Sequence, residues 1–366
     1  FTANANDASQ DQVTPQAIRQ FDDFGRLLRD SNALQQSWQY QYDLLGNLKQ
    51  TTSPANQITK YSWLPGHLLE KKESQDDTLQ YRYNAQGQVI QSRNQQLTTD
   101  YVYDGLNHRL IRQQDSRGLT LRYAYSAGGL LNSVADGHGQ RTDYQYDAVG
   151  RLSGIRAGNG EHVTFVYDAA GRLVQSWLPN GSASLYRYDE AGQLTQRLNQ
   201  SAGQLLSRHD YEYHPQSGQR VRHREQIGNQ LTDYRYDYDQ LDRLSKVSSV
   251  NAQNQPTELA AYQYDAWDNR IQQTTGGQTQ AYVYDAVNQL KEIRKGNATG
   301  EVLASYQYDA VGNLTLKTVG TVKHAFQYNS LQQLTQINLD SAAGTLLGSY
   351  RYDADGKRIG RSDGAG

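Results

Sequence analysis

Tyr144-Gln145-Tyr146-Asp147-Ala148-Val149-Gly150-Arg151-Leu152 is followed, 21 residues on, by Phe165-Val166-Tyr167-Asp168-Ala169-Ala170-Gly171-Arg172-Leu173. The same pattern stands at Tyr40, Tyr42, Asp43, Gly46 and Leu48, at Tyr186, Tyr188, Asp189, Gly192 and Leu194, and at Tyr306, Tyr308, Asp309, Gly312 and Leu314. Aligned on the second aromatic, sixteen units run from Phe21 to Tyr352. Steps are 20–22 residues as far as Tyr188, and several of 24–26 follow. A fixed period of this size is the signature of a repeat architecture, in which each unit buries its surface against its neighbours.

Each unit reads as a β-hairpin. Two aromatics two residues apart share one face of a strand. Asp suits the first position of a type I turn, where its carboxylate can accept from a backbone N–H two residues on. Gly four residues after the second aromatic suits a following left-handed position, the G1 bulge of a longer hairpin loop. Nine units have Gly there: Gly25, Gly46, Gly87, Gly129, Gly150, Gly171, Gly192, Gly312 and Gly356. Asn107, Asp242, Asp268 and Asn288 replace it with residues that tolerate positive φ, whereas His67, Ser217 and Gln332 break the rule. The turn signature is therefore Tyr42, Asp43 and Gly46, Tyr146, Asp147 and Gly150, Tyr167, Asp168 and Gly171, Tyr188, Asp189 and Gly192, and Tyr308, Asp309 and Gly312. The polar stretches 251–257 and 295–300 read as longer loops. Residues 1–16 read as a non-repeat lead-in, and 17–366 as one continuous array. Residues 14–19 are the one place compatible with a turn of helix.

Composition sets limits. Only 36% of residues are hydrophobic, against about 45–50% in ordinary domains. Tyr supplies 28 residues and Phe only 5. Such a chain cannot fill a thick core. A thin sheet suits it, with rings that pack and hydroxyls that reach water. The net charge of −2 offers no basic excess for nucleic acid. No apolar run is long enough to span a membrane, and no signal-peptide pattern opens the sequence. Cysteine is absent, so thiolate metal sites are excluded. Methionine is absent too, even at position 1, and the sequence reads as an internal piece of a longer polypeptide.

At this point the run of Tyr-Asp-x-x-Gly-Arg/Asn-Leu units resembles the RHS/YD-repeat family over roughly residues 18 to 360. That family includes bacterial Rhs polymorphic toxins, the B and C components of insecticidal Tc toxin complexes, and the teneurins. The resemblance implies an all-β fold of tandem hairpins forming a curved, spiralling sheet that walls a hollow shell. It also implies encapsulation of a cytotoxic C-terminal polypeptide until delivery by a bacterial secretion system. The implied partners are the enclosed toxin, and flanking shell repeats and plug domains of the same or a partner chain. Nucleic acid and direct membrane insertion are not implied. An extracellular adhesion or carbohydrate-recognition module of teneurin-like type is the alternative. The self-cleaving core that follows the repeats in many members is not recognisable here, and neither is a toxin domain. Independently, 32 strands at roughly 4.8 Å each give a ribbon on the order of 150 Å long. Strand twist would coil or close such a ribbon into a ring roughly 50 Å across.

Other groupings favour structural readings, and no catalytic, cofactor or metal residue is assigned. Asp353-Ala354-Asp355-Gly356 lacks the remaining ligands of a calcium loop and reads as a turn. His209, His214 and His223 are residues that zinc sites use, but no Cys is available and their spacing matches no helix-borne motif; His214 stands where the repeat has Asp and reads as a turn residue. Arg220, Arg222 and Arg224 alternate, as on one solvated face of a strand.

Overall fold

The structure is a computed structural model that describes residues 17–364. The lead-in expected over residues 1–16 lies outside the described residues. Thirty-two strands, numbered in chain order from β1 (Ile18–Phe21) to β32 (Arg358–Asp363), are assigned to one sheet. No helix occurs among the described residues. Ile18 and Arg19, within the segment compatible with a helical turn, instead pair with Ser31 and Asp30 across the first hairpin. A strand forms there because the first Asp-x-x-Gly turn folds the chain back on it.

One hairpin explains the rest. In β13 (Arg141–Tyr146) and β14 (Leu152–Ala157), Asp147 C=O accepts from Gly150 N at 3.0 Å, and Asp147 N donates to Arg151 O at 2.9 Å. This is a three-residue loop with a left-handed third position, Gly150 at φ 84. Gln145 then pairs with Gly154 but Tyr146 with Leu152, so Ser153 is an extra residue opposite one. The same shift recurs just before the second aromatic of the hairpins ending at Tyr42, Tyr167, Tyr188, Tyr264 and Tyr308. A bulge adds local twist and leaves ladder groups unpaired.

Positive φ extends beyond the glycines. Asp242, Asp268 and Asn288 lie at φ 63–64, and so do the apparent exceptions His67 (φ 60) and Gln332 (φ 64). At two turns the position slides by one residue. His108 (φ 55) takes it in place of Asn107, and Gly218 (φ 72) in place of Ser217. There the loops are one residue longer, closed by Asp104 N to Arg109 O and His214 N to Gln219 O.

The longer repeats mostly lengthen strands. β19 (Gln204–Tyr213), β20 (Arg220–Ile227) and β21 (Gln230–Tyr238) span eight to ten residues. The expected loop 251–257 closes early, with Asn251 N bonded to Gln255 O, and Pro256 and Thr257 open the strand Pro256–Tyr264. Residues added on both sides of a hairpin keep their backbone groups paired, whereas a longer loop would leave them to solvent. Pro is compatible with the first position of a strand. The stretch 295–300 does form a longer loop, closed by Lys295 N to Glu301 O.

The described chain divides into two compact units, one containing residues up to Thr99 and from Ala281 onward, the other Asp100–Gln280. In the second unit the few buried residues are small or polar, such as Ala183, Ser133 and Ser248. The first unit buries more, including Leu79, Leu97, Thr99, Asn94 and Ala354, yet its most buried side chain is Ser92, 2% exposed. Neither unit holds a thick apolar core.

A Cβ at Gly150 would meet only Leu130 Cδ1 at 3.9 Å, so the obstacle to substitution is backbone conformation. Gly150→Val is expected to destabilise by about 1–2 kcal/mol, and Gly150→Asn by clearly less. Denaturation midpoints check this, and equal costs for Val and Asn would contradict it.

Candidate functional site

The repeat turns carry the contacts that link one hairpin to the next. Leu152 lies beyond the last ladder pair between β14 and β15 (His162–Tyr167), which is Gly154 with Thr164. The Tyr167 hydroxyl donates to the Leu152 carbonyl at 2.8 Å. Tyr146 does the same to Leu131, Tyr188 to Leu173, Tyr42 to Leu27, and Tyr308 to Leu290, all within 2.8–3.0 Å. Where Trp63 replaces Tyr, its indole N–H donates to Leu48 O at 2.7 Å. Where Arg220 replaces Leu, its carbonyl still accepts from Tyr238. The second aromatic is therefore a hydrogen-bond donor to the preceding hairpin, a role beyond the solvent contact that the composition suggested for these hydroxyls. The first aromatic carries no such demand, and Phe165 and Phe326 occupy it.

Arginine after the glycine adds a second link. The Asp147 carboxylate accepts from Val149 N at 3.0 Å, Arg151 N at 2.9 Å and Arg151 Nε at 2.7 Å. Arg151 also donates to the carbonyl of Asp168 in the next turn at 3.0 Å and lies 4.8 Å from the Tyr167 ring centroid. Arg172 repeats this with Asp168, Asp189 and Tyr188, and Arg243 with Asp239, Asp265 and Tyr264. Asn47 and Asn313 bond their own Asp43 and Asp309, and each also meets a side chain of the next turn, His67 and Gln332. This role of the residue after Gly was absent from the turn reading, although its alternation between Arg and Asn was visible. Among the other signature residues, Gly46, Gly171, Gly192 and Gly312 lie at φ 82–96, and Gln193 N donates to the Asp189 carboxylate.

The first unit contains a lateral seam between its two chain segments. The Tyr81 hydroxyl donates to Ala354 O at 2.8 Å, and Asn94 Nδ2 to Tyr352 O at 2.9 Å. Asp76 and Ser330 exchange backbone–side-chain bonds, with Ser330 N donating to the Asp76 carboxylate. Burial beside Asp355, Tyr83 and Asp353 pushes the Tyr81 phenol up to about 12. Asp353 caps its own turn through Asp355 N and Lys357 N. Of the turn-tip residues at the seam, Ala354 is buried and Leu331 half-buried, whereas Leu44 and Leu45 in the same unit stand exposed.

In the second unit, the three arginines of β20 do not share a face. Val221 is a bulge residue, since Glu212 pairs with Arg222 but Tyr213 with Arg220. Arg222 and Arg224 both bond Glu212, and Arg222 also pairs with Asp233. Arg220 turns to the rings of Tyr211 and Tyr236. His209 and His223 come together, with Nδ1 to Nε2 at 3.1 Å, and Glu225 lies 3.5 Å from His209. His214 stays in its turn beside Ser217. The strand register that joins His209 to His223 and Glu225 was not readable from their spacing.

Tyr167→Phe leaves the Leu152 carbonyl without its donor and is expected to cost about 1–3 kcal/mol. Tyr144→Phe, at the first aromatic, is expected to change stability by less than about 0.5 kcal/mol. Equal effects in thermal melts would remove the hydroxyl ladder from the account.

Acid provides a separate check. Asp147, Asp168 and Asp239 titrate below the usual 3.8, chiefly because the backbone N–H groups of Arg151, Arg172 and Arg243 donate to them; desolvation opposes this and the arginine side chains reinforce it. A depressed folded-state pKa contributes stability above the unfolded value, and that stability is lost as pH falls through the folded value. The melting temperature is expected to hold from pH 7 to about 5 and to fall below about 4. A flat profile down to pH 2 would contradict the capping role.

Comparison with known proteins agrees with this geometry. Residues 186–366 match the family described as Teneurin YD-shell, and residues 21–58 match RHS Repeat. The crystal structure of TcdB2-TccC3-TEV is similar, with TM-score 0.55 at 15% identity over 94% of this chain and 23% of that one. That of TcdB2-TccC3-Cdc42 gives 0.53 at 15% over 94% and 23%. TcdB2-TccC3 without its hypervariable C-terminal region gives 0.52 at 15% over 94% and 19%. The chain thus spans about a fifth to a quarter of those solved chains. No curated protein sequence matches it. Hairpin turns linked one to the next, the two family matches and the shared fold place this chain in the RHS/YD-repeat family.

Proposed function

We propose that the chain is a wall segment of a container that holds a cytotoxic polypeptide apart until delivery. The sixteen repeats act as one array, and its task is exclusion, not catalysis. The observation that carries this reading is the seam of the first unit, where Tyr81 and Asn94 bond Ala354 and Tyr352. A single row of hairpins is only a strip. Strip edges that join side to side through turn residues build a surface that can enclose. Tyr–Leu and Arg–Asp links between successive turns stiffen each strip along its length. The names of the similar structures, TcdB2 and TccC3, agree with a toxin setting. On this reading the partners are the enclosed polypeptide and further shell repeats or plug domains, and the protein is secreted.

The test uses the polypeptide encoded by the complete reading frame around this array. The segment that follows the array is expected to resist protease in the folded protein. The double variant Tyr81→Phe, Asn94→Ala is expected to lose that resistance while keeping its far-UV β signature. A following segment cut equally fast in both proteins would overturn encapsulation. Glycan binding without any protection would favour the adhesion alternative.

A further inference from the structure

We propose that His209, His223 and Glu225 form a binding site for a divalent first-row transition ion of the zinc type. The site lies on one hairpin of the second unit and stands apart from the wall reading. β19 and β20 are paired so that His209 faces Glu225 directly and Tyr211 faces His223. All three side chains therefore project from the same face. Equivalent positions in other hairpins hold no such set: Thr142, Ile155 and Ala157 in one, and Ala260, Gln273 and Thr275 in another.

The donor atoms are already spaced for an ion. His209 Nδ1 lies 3.1 Å from His223 Nε2 and 3.5 Å from Glu225 Oε1. All three donor atoms fall within 4.8 Å of one another. Two nitrogens bound to tetrahedral zinc at 2.0–2.1 Å are separated by about 3.3 Å. Two imidazoles and one carboxylate are a donor set that zinc accepts while keeping a fourth position open.

The surroundings prepare the ligands. His209 Nε2 lies 3.1 Å from Ser207 Oγ, which accepts from Asn199 Nδ2 at 2.7 Å. With the Nε2 proton donated to Ser207, the lone pair of His209 is on Nδ1, facing His223. An outer hydrogen bond of this kind fixes tautomer and ring orientation in metal sites. Desolvation, then the charges of Arg220 and His209, lower the His223 pKa, which favours the neutral form that binds metal. Of the nearby cations, Arg220 is engaged with the Tyr211 and Tyr236 rings, and Arg197, paired with His209 across the ladder, with the Tyr186 ring and Asn199. Without an ion, the two rings share one proton across their 3.1 Å contact. The ion takes that place: His223 changes tautomer through solvent, losing the Nε2 proton and gaining one on Nδ1, and both rings turn to aim their lone pairs at the metal.

Titration calorimetry of the 366-residue chain with zinc chloride tests the site. One ion per chain is expected. His209→Gln and His223→Gln should each weaken binding by more than about 100-fold, beyond the effect of losing an outer partner. Glu225→Gln should weaken it as well, and His214→Gln should leave it unchanged. Cobalt(II) bound to the unaltered protein should show the strong visible absorption of tetrahedral coordination, which keeps the test valid if a variant fails to fold. The proposal is overturned if no zinc binds, if the His209 and His223 variants bind within about twofold of the original chain, or if cobalt gives only an octahedral spectrum.

Discussion

A carbonyl that the bulge leaves without a ladder partner must find a donor, and this architecture depends on how that need is met. The bulge at Ser153 lets the Asp147–Arg151 loop close, but it takes Leu152 out of register with the next strand. An unpaired, partly buried carbonyl costs free energy. The hydroxyl of Tyr167 supplies the missing bond from the following hairpin. Each repeat is thus completed by the one after it. This gives a physical reason for 28 tyrosines against 5 phenylalanines, and for a tryptophan at Trp63 that still offers a donor.

The same economy governs burial. A sheet poor in Leu and Ile gains little by collapsing onto itself, and the deepest residues here are Ser92, Thr99 and Ala183. Cohesion comes from backbone ladders, aspartate caps, and arginines that bond one turn while lying on the ring of the next. Links of this type are local and repeat indefinitely, so they specify a strip and leave its length open. Lateral contact needs something else. In the first unit it comes from side chains of one strip edge that bond the backbone of another, with small turn residues such as Ala354 fitting beneath them.

Departures from the repeat are where individual character enters. The strands between Gln204 and Tyr238 are lengthened by residues that the short hairpins lack, and His209, His223 and Glu225 stand on them at positions that a short hairpin fills with Thr142, Ile155 and Ala157. Those additions cost little because every added backbone group is paired across the ladder. A repeat protein can therefore acquire a local cluster of ligand-type side chains without disturbing its neighbours.

Much of the fold was legible in the sequence because turn chemistry is local. A left-handed position excludes most residues, so Gly150, Asp242 and Asn288 mark it without any knowledge of tertiary contacts. Periodicity and strand alternation followed from the same marks. Several features stayed hidden because they are set by register. The bulge at Val221 sends Arg220 to the opposite face from Arg222, which simple alternation cannot reveal. The acceptor of each second-position tyrosine with such a bond lies 14 to 20 residues back on another hairpin, and the partner of Tyr81 lies more than 250 residues away. Pairing across strands, not spacing along the chain, brought His209 to His223. Conformational preference determined the repeat from the sequence alone, whereas satisfaction of backbone carbonyls by distant side chains was decided only in the tertiary structure.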